Sequence, residues 1–204
     1  MKQNLPRGSK KLLNAWVFYD WANSVYSLVI NSAIFPIFYA AVSKKAFEDG
    51  NVPEILQGVN NESIIIVTTA TAFLIVSIIS PILSGIADYS GQKKRFLQFF
   101  CYLGAFSCIG LSVFSFDYLW ISLLIYMLAL IGFWGSLVFY NSYLPDIAFP
   151  EQQDAVSAKG FSMGYFGSVL LLIVCLLLLE GGFYPEEGLF SENKSFPLYS
   201  YQLS

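Results

Sequence analysis

Asp20 stands alone among charged residues in a long apolar run, residues 12–42, and Asn23, Ser24, Ser27 and Asn31 follow it at helical spacing. At about 100° per residue these five side chains share an arc of about 100°, so a helix there carries one continuous polar stripe. A carboxylate near the centre of a membrane helix costs about 2.5–3.5 kcal/mol, which makes Asp20 the residue most in need of a purpose. One reading is chemical. The stripe lines a substrate or ion path, with Asp20 as a protonatable or cation-binding group. The other is architectural: Asn and Ser bond to neighbouring helices, and Asp20 is hydrated or paired with a basic residue near the inner surface.

Three further sets of residues have types and spacing suited to a task. Trp134 and Asn141 offer a stacking face and an amide to a small solute, whereas Tyr140 and Tyr143 suit an interfacial anchor and Pro145 a helix stop. Gly160, Gly164 and Gly167, with Ser168, form a small-residue ridge that lets two helix backbones approach, or slide. Residues 84–95, SGIADYSGQKKR, place Gly85, Asp88, Gly91, Lys93, Lys94 and Arg95 in a compact acidic-then-basic turn between two apolar runs. Gly91 permits a tight turn there. The cations also suit attraction to lipid headgroups.

These residues have to be carried by membrane helices. The 204 residues are 56% apolar and 12% charged, with a mean hydropathy of +0.59, too few charges to cover a soluble globule. About 20 apolar residues cross a 30 Å hydrocarbon core, and five segments qualify, at 12–42, 63–87, 96–116, 119–140 and 160–179. Between Phe96 and Pro145 the only charge is Asp117; a single helix of that length would be roughly 75 Å, so the chain must turn back, at residues 115–118. Pro36 and Pro81 are expected to kink their helices. The basic amino terminus resembles a signal peptide, but its apolar segment is too long for one and reads as a retained first span. Residues 180–204 read as an external loop, and ending in a loop after an odd number of spans points to a piece of a longer chain.

With the amino terminus inside, eight of the eleven Lys and Arg residues fall on inner segments and three on outer ones, the bias of a cytoplasmic amino terminus. The absence of histidine removes imidazole metal sites, Ser-His-Asp triads and histidine relays, so the expectation is no enzyme, no metal and no cofactor. Cys101, Cys108 and Cys175 lie in apolar runs without metal-ligand spacing. A net charge of −3 with clustered cations argues against nucleic acid as a partner.

The turn resembles the loop between helices two and three of the major facilitator superfamily: Asp88, Gly91, Lys93 and Lys94 match, while Ser84, Tyr89 and Gln92 depart from the pattern. Tyr19-Asp20-Trp21-Ala22-Asn23-Ser24, then Tyr26-Ser27, resembles the first-helix signature of the "unknown major facilitator" group, related to vacuolar amino-acid effluxers. The stretches 140–146 and 164–167 resemble it as well. The resemblance implies an all-α membrane fold of twelve helices in two bundles, of which this chain holds about five helices of the first half. It implies alternating access, a loop around Asp88 that locks the two bundles, and a missing second bundle as partner.

The function expected is therefore secondary transport of a small polar solute, amino-acid efflux being the analogy, with a proton as coupling ion and the cell membrane as location. The alternative is a non-transporting membrane scaffold or assembly subunit.

Overall fold

The computed structural model describes residues 6–48, 50, 59–114 and 118–180. Among them every regular element is a helix: α1 (Lys10–Val25), a π-helical segment (Tyr26–Ile34), α2 (Phe35–Glu48), α3 (Asn61–Ser90), α4 (Lys93–Gly110) with a short 3-10 turn (Leu111–Val113), α5 (Leu119–Ile147) and α6 (Pro150–Glu180). The first three run on from one another as one rod. Five helices are long and apolar enough to cross a membrane: Lys10–Ala40, Glu62–Ser90, Lys93–Val113, Leu119–Ile147 and Pro150–Leu177.

Each end has a local cause. Asn60 Oδ1 accepts a hydrogen bond from Glu62 N at 3.2 Å, capping α3. Gly91 ends α3 in the left-handed conformation, φ 64°, while the amide of Gln92 bonds back to Ala87 O at 3.1 Å; this six-to-one closure favours glycine because other residues strain there. Helices extend past the apolar runs that mark them, since backbone hydrogen bonding continues into the headgroup region. Thus α5 does not stop before Pro145 but runs through it to Ile147. Arg7 supports that end, donating to Pro145 O at 2.8 Å and to Ala148 O at 3.0 Å, a cation where the helix dipole is negative. Residues 115–117, where the turn back was expected, and 181–204 lie outside the described residues.

The helices pack as two pairs joined through α5: α4 runs along α5, α1 along α6, and α3 also leans on α5. Aromatic rings fill the joints. Phe35 stacks on Tyr126 with centroids 4.4 Å apart, Phe139 on Phe96 and Phe100 at 5.3 and 5.7 Å, and Trp16 on Tyr140 at 4.2 Å. Away from these joints Ile66, Leu74, Ile78, Phe106 and Leu177 are exposed, an apolar sheath that suits lipid. Because lipid is as apolar as the helices, close packing and polar contacts, not hydrophobic burial, hold such a bundle together. Between α4 and α5 backbone lies against backbone: a methyl group on Gly132 would collide with the backbone of Gly104.

Residues 6–9, the α3–α4 turn and the α5–α6 link gather at one end of the bundle. Gly8 N donates to Ile147 O at 2.7 Å, and Lys93 reaches Asp146.

Candidate functional site

Asp20 lies on the face of α1 that meets α6 and is buried, 5% exposed. Ser24, one turn on, donates to its Oδ1 at 3.4 Å. Among the described residues Asp20 makes no ion pair; Lys159, next to Gly160 in the chain, bonds Asn14 Oδ1 at 2.9 Å. The glycines of α6 bring the helices together. A methyl on Gly160 would sit 3.3 Å from both Asp20 Oδ2 and Tyr140 Oη, one on Gly164 2.5 Å from Ser24 Oγ, and one on Gly167 2.6 Å from the Trp21 ring. A carboxylate and a phenol therefore converge over one bare backbone position. Trp16 and Tyr19 both stack on Tyr140, and the indole of Trp16 donates to Tyr140 O at 3.1 Å. The buried Tyr140 hydroxyl and the Asn23 amide nitrogen have no hydrogen-bond partner among the described residues, a condition that costs about 1–3 kcal/mol for each group.

The stripe does not stay on one partner. From Tyr26 to Ile34 the helix widens to the π form, with Phe35 N bonded to Ile30 O and Ser32 Oγ to Ser27 O at 2.9 Å. Such segments concentrate at functional sites. Beyond Ser27, which is half-buried, Asn31 faces α5: Tyr126 donates to Asn31 Oδ1 at 3.3 Å, and Thr69 Oγ1 lies 3.3 Å from the same phenol. Asp20 thus looks to α6 and Asn31 to α5, whose Tyr126 hydroxyl also meets Thr69 of α3. Trp134 packs on Phe73 and Phe133 at 5.3 Å, its indole nitrogen buried without a hydrogen-bond partner among the described residues. Asn141 is exposed near the end of α5 and does not join the Asp20 group.

In the turn, Lys93 bridges two carboxylates, Asp88 Oδ1 at 3.0 Å and Asp146 Oδ2 at 2.8 Å, and donates to Ser142 O at 3.3 Å. The lysine is largely covered and both acids are largely exposed, so the bridge fixes geometry more than it adds stability. Arg95 NH1 donates to Gln92 Oε1 at 2.7 Å, Lys94 is exposed, and Gly85 lies within α3, where an added methyl would meet nothing within 4 Å.

Sequence reasoning did not single out Asp146, Arg7, Tyr126, Thr69 or the Gly104–Gly132 crossing. Asp146 had a signal, an acid just beyond an apolar run and outside the hydrocarbon. The glycine crossing had one too, a run of small residues at one-turn spacing, Ala129, Gly132, Gly135 and Ser136, on the buried side of α5.

The family model described as "Vacuole effluxer Atg22 like" matches residues 8–187. The "Uncharacterized MFS-type transporter YxiO" of Bacillus subtilis (strain 168) is 37% identical over 166 residues, covering 81% of this chain and 37% of the relative. An "Uncharacterized protein" of Aquifex aeolicus (strain VF5) is 26% identical over 173 residues, 85% of this chain and 40% of that one. The chain thus spans about two fifths of the length of these curated relatives. No solved structure matches. The family match runs from Gly8 through the whole of α6, and the chain belongs to the vacuole effluxer Atg22-like family, as a multi-pass helical membrane protein of major facilitator type.

Proposed function

We propose that this chain is the first-bundle portion of a secondary transporter that moves a small polar solute across a membrane by alternating access, coupled to a proton held at Asp20. The observation that carries the coupling role is the burial of Asp20 without an ion pair among the described residues, beside a phenol and an amide nitrogen with no partner of their own. A buried carboxylate so placed must either lose its charge or find a cation, and both are what coupling requires.

Asn23, Ser27, Asn31 and Trp134 extend the path from Asp20, and Asn141 marks its end near the turn. Gly160, Gly164 and Gly167 provide the surface on which α1 and α6 shift. The bridge of Asp88, Lys93 and Asp146, on the turn of Gly91 and flanked by Gly85, Lys94 and Arg95, presents Asp88 to the second bundle. The family description supports export, and amino acids are the solutes to try first. Clustering of residues 6–9 with the two turns at one end, together with the eight-to-three cation bias, supports a cytoplasmic amino terminus in a cell membrane. The burial of Asp20 without an ion pair among the described residues favours this reading over a non-transporting scaffold.

Efflux and uptake of an amino-acid panel by the full-length protein in liposomes, with and without a pH gradient, tests this. Gradient-dependent movement of at least one member is expected. No movement of any member removes the amino-acid assignment, and movement indifferent to pH removes the proton.

A further inference from the structure

A groove of about 350 Å³ opens between α3 and α4, lined by Leu83, Gln92, Arg95, Phe96, Phe99 and Phe100. It descends from the turn along the first two turns of α4, about 12 Å by helix rise. Its walls are apolar and its upper rim is not. Around it Ile82, Ile86 and Phe99 are exposed, so apolar surface continues beside it.

The three consecutive cations of the turn divide here. Lys93 turns in to its two carboxylates. Lys94 and Arg95 are exposed and form no ion pair among the described residues. Gln92 Oε1 accepts from Arg95 NH1 at 2.7 Å and holds the guanidinium at the groove's rim, with its other donors left over. We propose that this groove binds an anionic glycerophospholipid, the phosphate and headgroup on Arg95 and Lys94 and the upper acyl chain between Leu83 and the three phenylalanines. Two features of the groove select that occupant. Phenylalanine walls at membrane depth take hydrocarbon, which a free anion lacks. Arg95 at the rim, with Lys94 next to it in the chain, neither in an ion pair among the described residues, takes negative charge, which a zwitterionic lipid does not carry in net.

The test is independent of transport. The full-length protein is embedded in bilayers of equal parts dioleoyl phosphatidylglycerol and dioleoyl phosphatidylcholine, extracted gently, and its retained lipids counted by native mass spectrometry. Wild type is expected to retain phosphatidylglycerol preferentially, with retention falling about fivefold for each charge removed in Lys94→Gln and Arg95→Gln. Leu83→Trp, which fills the groove without changing charge, is expected to lose it as well. The exposed pair Lys10→Gln/Lys11→Gln, at the same end of the bundle, should retain it fully. Equal retention of the two lipids overturns the proposal, as does retention of neither, which would mean that protein covers the groove. An equal loss in the Lys10/Lys11 variant also overturns it, since attraction would then be diffuse.

Discussion

Asp20 and the glycines of α6 form one unit, because the carboxylate can be buried only where the facing helix has no side chain. Gly164→Ala would press a methyl on Ser24 and Gly160→Ala one on Trp16, so each should lower thermal stability by about 1–3 kcal/mol. Gly132→Ala should cost at least as much, since its methyl meets backbone that cannot rotate away. Gly85→Ala, with open space around it, should leave Tm unchanged or slightly raised, as alanine is the better helix former. Thermal unfolding of the four variants in one detergent checks the ranking; a destabilised Gly85→Ala with an unaffected Gly132→Ala would contradict it. Asp20 was legible in the sequence because a charge in an apolar run is conspicuous. The small-residue run around Gly132 could also be read, but not its meeting with Gly104, because what it meets is fixed by the path of another helix.

At the scale of elements, the π segment explains why a stripe drawn at regular helical pitch divides between two neighbours. Each residue turns less in the wider helix, so Asn31 arrives facing Tyr126 of α5 and not the glycines of α6. Pro36 stands two residues past the segment's end and has no amide to complete a regular turn with Ser32 O. Pro36→Ala restores that bond, and amide exchange over residues 26–36 should slow, as followed by hydrogen–deuterium exchange; unchanged exchange would mean that the proline does not maintain the wide turn. Arg7 holds the far end of α5 through Pro145 O and Ala148 O. In Arg7→Ala, exchange at the α5–α6 link should rise while that of the α4–α5 interface stays as it was. Helix number and order could be read from apolar runs and charge, whereas the true ends could not: Pro145 looked like a stop, and a cation from the other end of the chain keeps the helix going.

Across the whole molecule, two pairs of helices meet through α5, with the lysine bridge of the turn at one end and the buried carboxylate deeper in the α1–α6 pair. Sequence patterns placed both groups, yet the link from Lys93 to Asp146 joins residues 53 apart and only the packed bundle supplies it. Movement of one pair against the other would change the surroundings of Asp20 without touching the bridge, so the proposed coupling role and the proposed gating role can be tested apart. Asp88→Asn should therefore alter the balance between inward- and outward-open states, read by accessibility of an introduced cysteine in the full-length protein, while leaving pH dependence intact. The central claim is that Asp20 carries the coupling proton, and its most direct test compares pH-gradient-driven accumulation with solute exchange in liposomes for wild type and Asp20→Asn. The variant is predicted to keep exchange and lose accumulation; accumulation as strong as wild type, with the same pH profile, would contradict it.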